Sequence, residues 1–411
     1  MNMKKPKSLI IILVLLLTTC AHNQKYNNVD DFRVVPLDDG KSVKIFKYTG
    51  TSQVVRIPPV IHGMTVTEIG DEAFKDKEII SVTIPNNVKI IGDRAFSGNG
   101  LTSLIIPNNV TVIGEDAFAN MTSSQAWEFN RDPSSRDPLR NNIINLTLGN
   151  HITTIKSRAF YGNRIKKLVI PNSVITIEYG AFEKNELVNV TIGNKVANLS
   201  GFSNNNLTSI IIPNSVTTIE AGAFCDNKLT SIIIPNSVIT IKSGAFENNE
   251  LTSVTIGNRV NYLYGFERNN LTSVIIPNSV KIIGGRAFSD NKLTNVIIPD
   301  SVTTIAVGAF GNNNLTRIII PKSVTTIERA AFYNNPITSI TIGSNVEVGS
   351  RFLHEYDNPE KTIFDPHGRL DYGFIAAFDN GFSDYYMKNA NRRAGTYVRN
   401  GNRWSILEED K

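Results

Sequence analysis

Leu229-Thr-Ser-Ile-Ile-Ile-Pro235-Asn-Ser-Val238-Ile-Thr-Ile241-Lys-Ser-Gly-Ala245-Phe246 is the stretch on which the reading of this chain turns. Its first, fourth and sixth residues are apolar, and its fourth to sixth are β-branched, as a strand prefers. Pro235 withholds a backbone N–H and ends that strand. Val238 and Ile241 then face inward on a return limb, and Ala245-Phe246 closes the unit with a small residue beside a ring. The pattern recurs along the chain with its closing ring at Phe74, Phe96, Phe118, Phe160, Phe182, Phe202, Phe224, Phe246, Phe266, Phe288, Phe310, Phe332 and Phe352. The spacings are 22 or 20 residues, apart from one of 42. A fixed period of this kind means a solenoid, in which each unit contacts only its neighbours. The expected fold is a β-rich repeat solenoid with a parallel sheet on one face and irregular return limbs. Rungs ~4.8 Å apart make about thirteen units an arc on the order of 60 Å.

Two smaller regularities belong to the same unit. An Asn follows most of the rings by three residues, at Asn99, Asn163, Asn185, Asn205, Asn227, Asn249, Asn269, Asn291, Asn313 and Asn335. A primary amide both donates and accepts, so stacked copies can satisfy backbone groups from unit to unit; the other reading of the row is a glycan-binding surface. Gly replaces the strand-ending Pro at Gly149, Gly193, Gly257 and Gly343, and the last three of these units shorten to 20 residues.

The consensus LxxIxIPxxVxxIxxxAFxxN resembles the BspA-like, or treponemal-type, leucine-rich repeat, a family of surface proteins of anaerobic oral and host-associated bacteria. The resemblance covers roughly residues 32–352 and includes the lead-in Phe46-Lys-Tyr48-Thr-Gly50, Val66-Thr-Glu-Ile69-Gly70 and Ala73-Phe74. Many members of that family carry Cys where this chain has its Asn row. What the resemblance implies is a leucine-rich repeat superhelix, exposure at the cell surface, and binding to host matrix proteins or to other bacteria. Such repeats are scaffolds, and a function has to be argued from a site.

The flanks divide the chain further. Lys4, Lys5 and Lys7 precede an apolar run from Leu9 to Leu17, which reads as an export signal over residues 1–19. Cys20 follows directly and resembles the acceptor of a bacterial lipobox, with Thr19 standing where Gly, Ala or Ser is usual. Lipidation of Cys20 would anchor the chain to a membrane, and residues 20–31 read as its tether. Residues 32–56 are expected as N-terminal capping strands, 57–352 as the solenoid, and 353–411 as a small α+β cap. In that last region Phe382 to Ala394 reads as a short helix and Asn400-Gly401 as a hairpin turn.

Composition excludes several classes. Charged residues make up 19% of the 411 and hydrophobic ones 41%, which does not suit a chain kept disordered by charge. The net charge of +5 owes much to the three leader lysines, and no basic block follows them, so nucleic acid is not an expected partner. Two cysteines make no disulfide framework, and the five His residues have no metal-ligand spacing; neither a cofactor nor a metal is implied. No nucleophile elbow or phosphate loop occurs, and the chain is not expected to be an enzyme. Cys225 reads as a packing or accidental residue, with intermolecular pairing as the alternative.

Three places could hold a binding site. The first is the outward strand face at the fifth strand position, above all Ile211, Ile233, Ile275, Ile297 and Ile319, with mostly Ser at the third position and only Lys167 and Arg317 charged. The plainer account is that β-branched residues suit a sheet. The second is an insert at 121–141 with Trp127, Phe129 and Arg131, whose composition is that of an interface hot spot and equally of surface decoration. The third is the aromatic-rich C-terminal region. Together these lead to a lipid-anchored protein-binding scaffold of the cell surface. A structural envelope protein without external ligand and a secreted enzyme with its site in 353–411 are the alternatives. Nothing in the pattern sets an oligomeric state.

Overall fold

The solenoid is built as the period demands. The structure is a computed structural model that describes residues 26–120, 141–344, 346–349, 382, 385–386, 390 and 392–407. The coils bury the same seven positions, in the unit quoted above Leu229, Ile232, Ile234, Val238, Ile241, Ala245 and Phe246, with the second of them only partly buried at Val82, Leu146, Val190 and Val254. From Phe74 to Phe332 the rings stack with centroids 4.8–5.7 Å apart and planes within 11° of parallel. Offset stacking of this kind adds to the burial of each ring. The column starts earlier than the repeat pattern shows, because Phe32 and Tyr48 stand on its first ring. The last ring of the pattern, Phe352, lies outside the described residues.

The return limb is not irregular. Its two-residue strands, such as Thr240–Ile241, form one unbroken ladder from Val43 and Ile45 through to Val348, parallel after an antiparallel N-terminal hairpin of Phe32–Pro36 on Ser42–Tyr48. The first limb is where pairing is broken: its strands join only in twos, for example Ser231–Ile233 with Ser253–Thr255. Sterics at the strand-ending position account for the difference. A Cβ on Gly149, Gly193 or Gly257 would lie 2.2, 2.3 or 2.5 Å from the carbonyl oxygen of the preceding unit's Pro. At these three positions glycine allows an approach that a side chain would block, whereas at Gly343, which also follows a paired strand, the nearest atom is 3.8 Å away. The bond that closes each pair runs to a threonine: the amides of Ile106, Ile170, Ile234 and Ile320 donate to the carbonyls of Thr147, Thr191, Thr255 and Thr341. Where Pro follows Pro, as at Pro277 and Pro299, only a single bridge Ile275–Ile297 forms. Residues 54–56 and 81–83, at the start, are the exception, pairing although both units carry Pro.

At the far end a hairpin of Gly395–Asn400 and Arg403–Leu407 adds antiparallel to Ser339–Ile342. Its two-residue turn is Gly401-Asn402, one residue later than expected, with Gly401 at φ +60°. Tyr397 and Trp404 are buried there beside Phe382 and Tyr386, and the Tyr386 hydroxyl donates to the Gly343 carbonyl at 2.7 Å. Most of the expected helix 382–394 lies outside the described residues, as do the leader with Cys20.

Candidate functional site

The Asn row is structural, and its hydrogen bonds say how. Asn227 donates through Nδ2 to the carbonyls of Phe202 at 2.9 Å, Phe224 at 3.2 Å and Cys225 at 3.3 Å, while its Oδ1 accepts from the Leu207 amide at 3.1 Å. One side chain thus ties its own turn to the turn before it, and the row is buried. The residue that precedes each Asn sits at positive φ, for example Asp226 at +55° and Asn248 at +54°. That bend turns the amide inward. The same bonds correct the boundary of the insert. Asn141 donates to Phe96 and Phe118 and accepts from Leu101, so it is the missing rung of the row and the inserted segment ends before it. Trp127, Phe129 and Arg131 lie outside the described residues.

The outward face of the first limb differs in kind. Ile211 and Ile275 are each 85% exposed, Ile297 76%, Ile233 70% and Ile319 53%. Ladder register places Ile233 beside Thr255, Ile275 beside Ile297, and Ile319 beside Thr341. These side chains form a stripe along five of six successive rungs, with Thr255 as the one interruption. Sheet preference does not explain the most exposed of them, since Ile211 lies on a segment without strand pairing and Ile275 makes a single bridge. Ile105 and Val169 extend the stripe toward the N-terminus, each followed by a threonine rung. Its apolar area is on the order of several hundred Å², the range of the largest patch on a typical monomer.

Among the described residues no three His, Cys, Asp or Glu side chains are placed to share a metal ion. Cys225, a potential nucleophile, has its thiol pushed up by burial, with Asp226 at 3.1 Å adding to the shift. A thiol so held stays protonated and unreactive.

The family model described as BspA type leucine rich repeat region matches residues 44–136, 139–201, 198–265 and 262–364. The chain belongs to the BspA-type leucine-rich repeat family. Solved structures similar to this BspA-type chain include a leucine rich cell surface protein from Faecalibacterium prausnitzii, 23% identical over 80% of this chain and 91% of that one, with a TM-score of 0.44. A leucine-rich repeat protein from Bacteroides ovatus is 22% identical over 74% of this chain and 97% of its own, at 0.45. The pneumococcal vaccine antigen PcpA is 18% identical over 74% and 70%, also at 0.45. A search of curated proteins gives no match. Among the described residues no helix of the BspA-type chain is long and apolar enough to cross a membrane.

Proposed function

We propose that this chain is a non-catalytic surface scaffold that binds protein partners through the isoleucine stripe of its first limb. The observation that carries the reading is the exposure of Ile211, Ile233, Ile275, Ile297 and Ile319 on adjoining rungs, where burial of each would release water from apolar surface. Leucine-rich repeats present extended surfaces of this kind to their partners. Near-absence of charge on the stripe favours a protein over a nucleic acid. The partner is a host matrix protein or a protein of another bacterium, and the contact is the sum of many weak ones along a stiff arc. A lipid on Cys20 holds the chain to the envelope.

The test is saturable binding of the purified protein to a panel of matrix proteins and bacterial surfaces. An Ile275→Asp, Ile297→Asp double variant is expected to lose at least tenfold in affinity while its thermal midpoint stays within a few degrees, because both side chains already face water. Undiminished binding by the variant would remove the stripe from the reading. A Cys20→Ala variant is expected to lose labelled fatty acid and to leave the membrane fraction; retained label would place the anchor elsewhere. Protease treatment of intact cells should degrade the repeats, and survival until the envelope is broken would argue for the internal scaffold instead.

A further inference from the structure

Of the three 20-residue units, the two that close within the described residues, at Phe202 and Phe266, lose their residues at one corner, just before the ring. There Gly201 and Gly265, both at φ +95°, replace the longer bend of a full unit. Each deletion leaves a notch between the neighbouring full-length corners, and the two notches are finished differently. At the second, Tyr264 fills the space: its ring lies where a Cβ on Gly284 of the next unit would be, with ring atoms 2.1 Å from that position. At the first, the matching residues are Ser200 and Glu220, and the notch stays open with a volume of about 400 Å³, lined by Glu178, Tyr179, Ser200 and Glu220 among others.

Deletion also strips this notch of a donor. In two full-length units a glutamate four residues before the ring accepts a backbone N–H from the unit before it: Glu178 from Ser157 at 2.9 Å, and Glu328 from Val307 at 2.9 Å. Glu220 holds the same place, but the residue that would face it is one the short unit lacks. It pairs through Oε2 with Lys242 at 2.6 Å instead, and among the described residues its second oxygen has no hydrogen-bond partner. Glu178 likewise uses one oxygen, on the amide and hydroxyl of Ser157. Register sets the two glutamates two rungs apart, roughly 10 Å. Between them Ser200, 5% exposed, lines the notch with a hydroxyl that has no partner among the described residues.

We propose that this notch binds the guanidinium of an arginine side chain presented by a protein partner. A guanidinium donates from a planar fork and accepts nothing, which matches two carboxylates that each keep one oxygen free. Its N–H groups replace the backbone donor that the deletion removed, the Ser200 hydroxyl accepts from it, and the exposed Tyr179 ring offers a face for stacking. The site lies at the corner beyond the return limb, apart from the isoleucine stripe, and stands whether or not the stripe binds anything.

The experiment titrates the purified full chain with N-acetyl-argininamide by calorimetry, with the citrulline analogue as neutral isostere, and follows it with a crystal soak. Expected are saturable binding of the arginine probe, at least tenfold weaker binding of citrulline, and density between Glu178 and Glu220. Glu220→Gln and Ser200→Tyr, the second supplying a ring in place of the serine as in the other notch, should each weaken the arginine probe tenfold or more while the circular dichroism spectrum is unchanged. The Ile275→Asp, Ile297→Asp variant should bind it as the parent does. Equal affinity for citrulline, indifference to both notch variants, or no saturable binding would each overturn the proposal.

Discussion

From Asn99 to Asn335 a buried amide at each turn carries much of what holds one coil to the next. Replacing Asn227 by Ala removes donors to three carbonyls and the acceptor of the Leu207 amide, all inside the stack. Each buried group left without a partner costs about 1–3 kcal/mol. Asn227→Ala is therefore expected to lose on the order of 3 kcal/mol, read as a fall in the thermal midpoint. Asn227→Asp should be no better, since a carboxylate cannot donate to the Phe202 carbonyl; a harmless Asp variant would show that the donor half of the amide is idle. Glu267 supplies a pH effect of definite sign. Burial, with Glu247 on the neighbouring rung, pushes its carboxyl up to about 7, against which Arg286 at 4.0 Å and Arg268 at 3.9 Å are too distant to compensate. The folded chain then holds this proton more tightly than the unfolded chain, so the group lowers stability as pH rises from about 4.5 to 7 and keeps it lowered above that. Glu267→Gln should raise the midpoint at pH 8 and lose that advantage by pH 4, as melting at the two values would show.

The limbs show how far the repeat could be read before folding. Ring period, Asn row and buried positions were all legible, because each is a side-chain choice repeated ten times or more. Which limb carries the long ladder was not, since two-residue strands such as Thr240–Ile241 are too short to show alternation. The insert's end was hidden for a similar reason: Asn141 is separated from Phe118 by the inserted residues, and only its bonds to Phe96 and Phe118 identify it. On the candidate face, the fifth strand position was readable as outward, but the division of labour between Ile and Thr depends on backbone contact two residues further on. Gly193 tests that contact. A Cβ there would press on the Pro171 carbonyl at 2.3 Å and part the strands that the Ile170 amide closes at 2.8 Å on Thr191. Gly193→Ala should cost about 2 kcal/mol, whereas Gly343→Ala, whose nearest neighbour is 3.8 Å away, should stay within about 0.5 kcal/mol. Equal losses at both positions would mean that close approach to proline is not what glycine supplies.

Along the described solenoid, cohesion runs in one dimension, because each coil packs on the coils beside it, and the Lys156–Asp93 ion pair at 3.2 Å reaches one coil further. A defect in a globular core is shared among many neighbours, but a defect here weakens one junction. Phe202 is the place where this matters most, since it belongs to a short unit and contacts Phe182 at 5.6 Å and Phe224 at 5.7 Å, with the open notch beside it. Phe202→Ala would remove both stacking contacts and leave a cavity, a loss of about 3–5 kcal/mol. Confined to one junction, a loss of that size should uncouple the coils before it from those after it. Hydrogen exchange of the parent is expected to show the described residues of 43–120, 141–180 and 226–344 opening together in the slowest phase. In the Phe202→Ala variant the segments before and after the ring should open separately, at different denaturant concentrations. If they still open as one, the continuous ladder of the return limb, through Asn198–Leu199 and Thr218–Ile219, carries the coupling and the ring column does not.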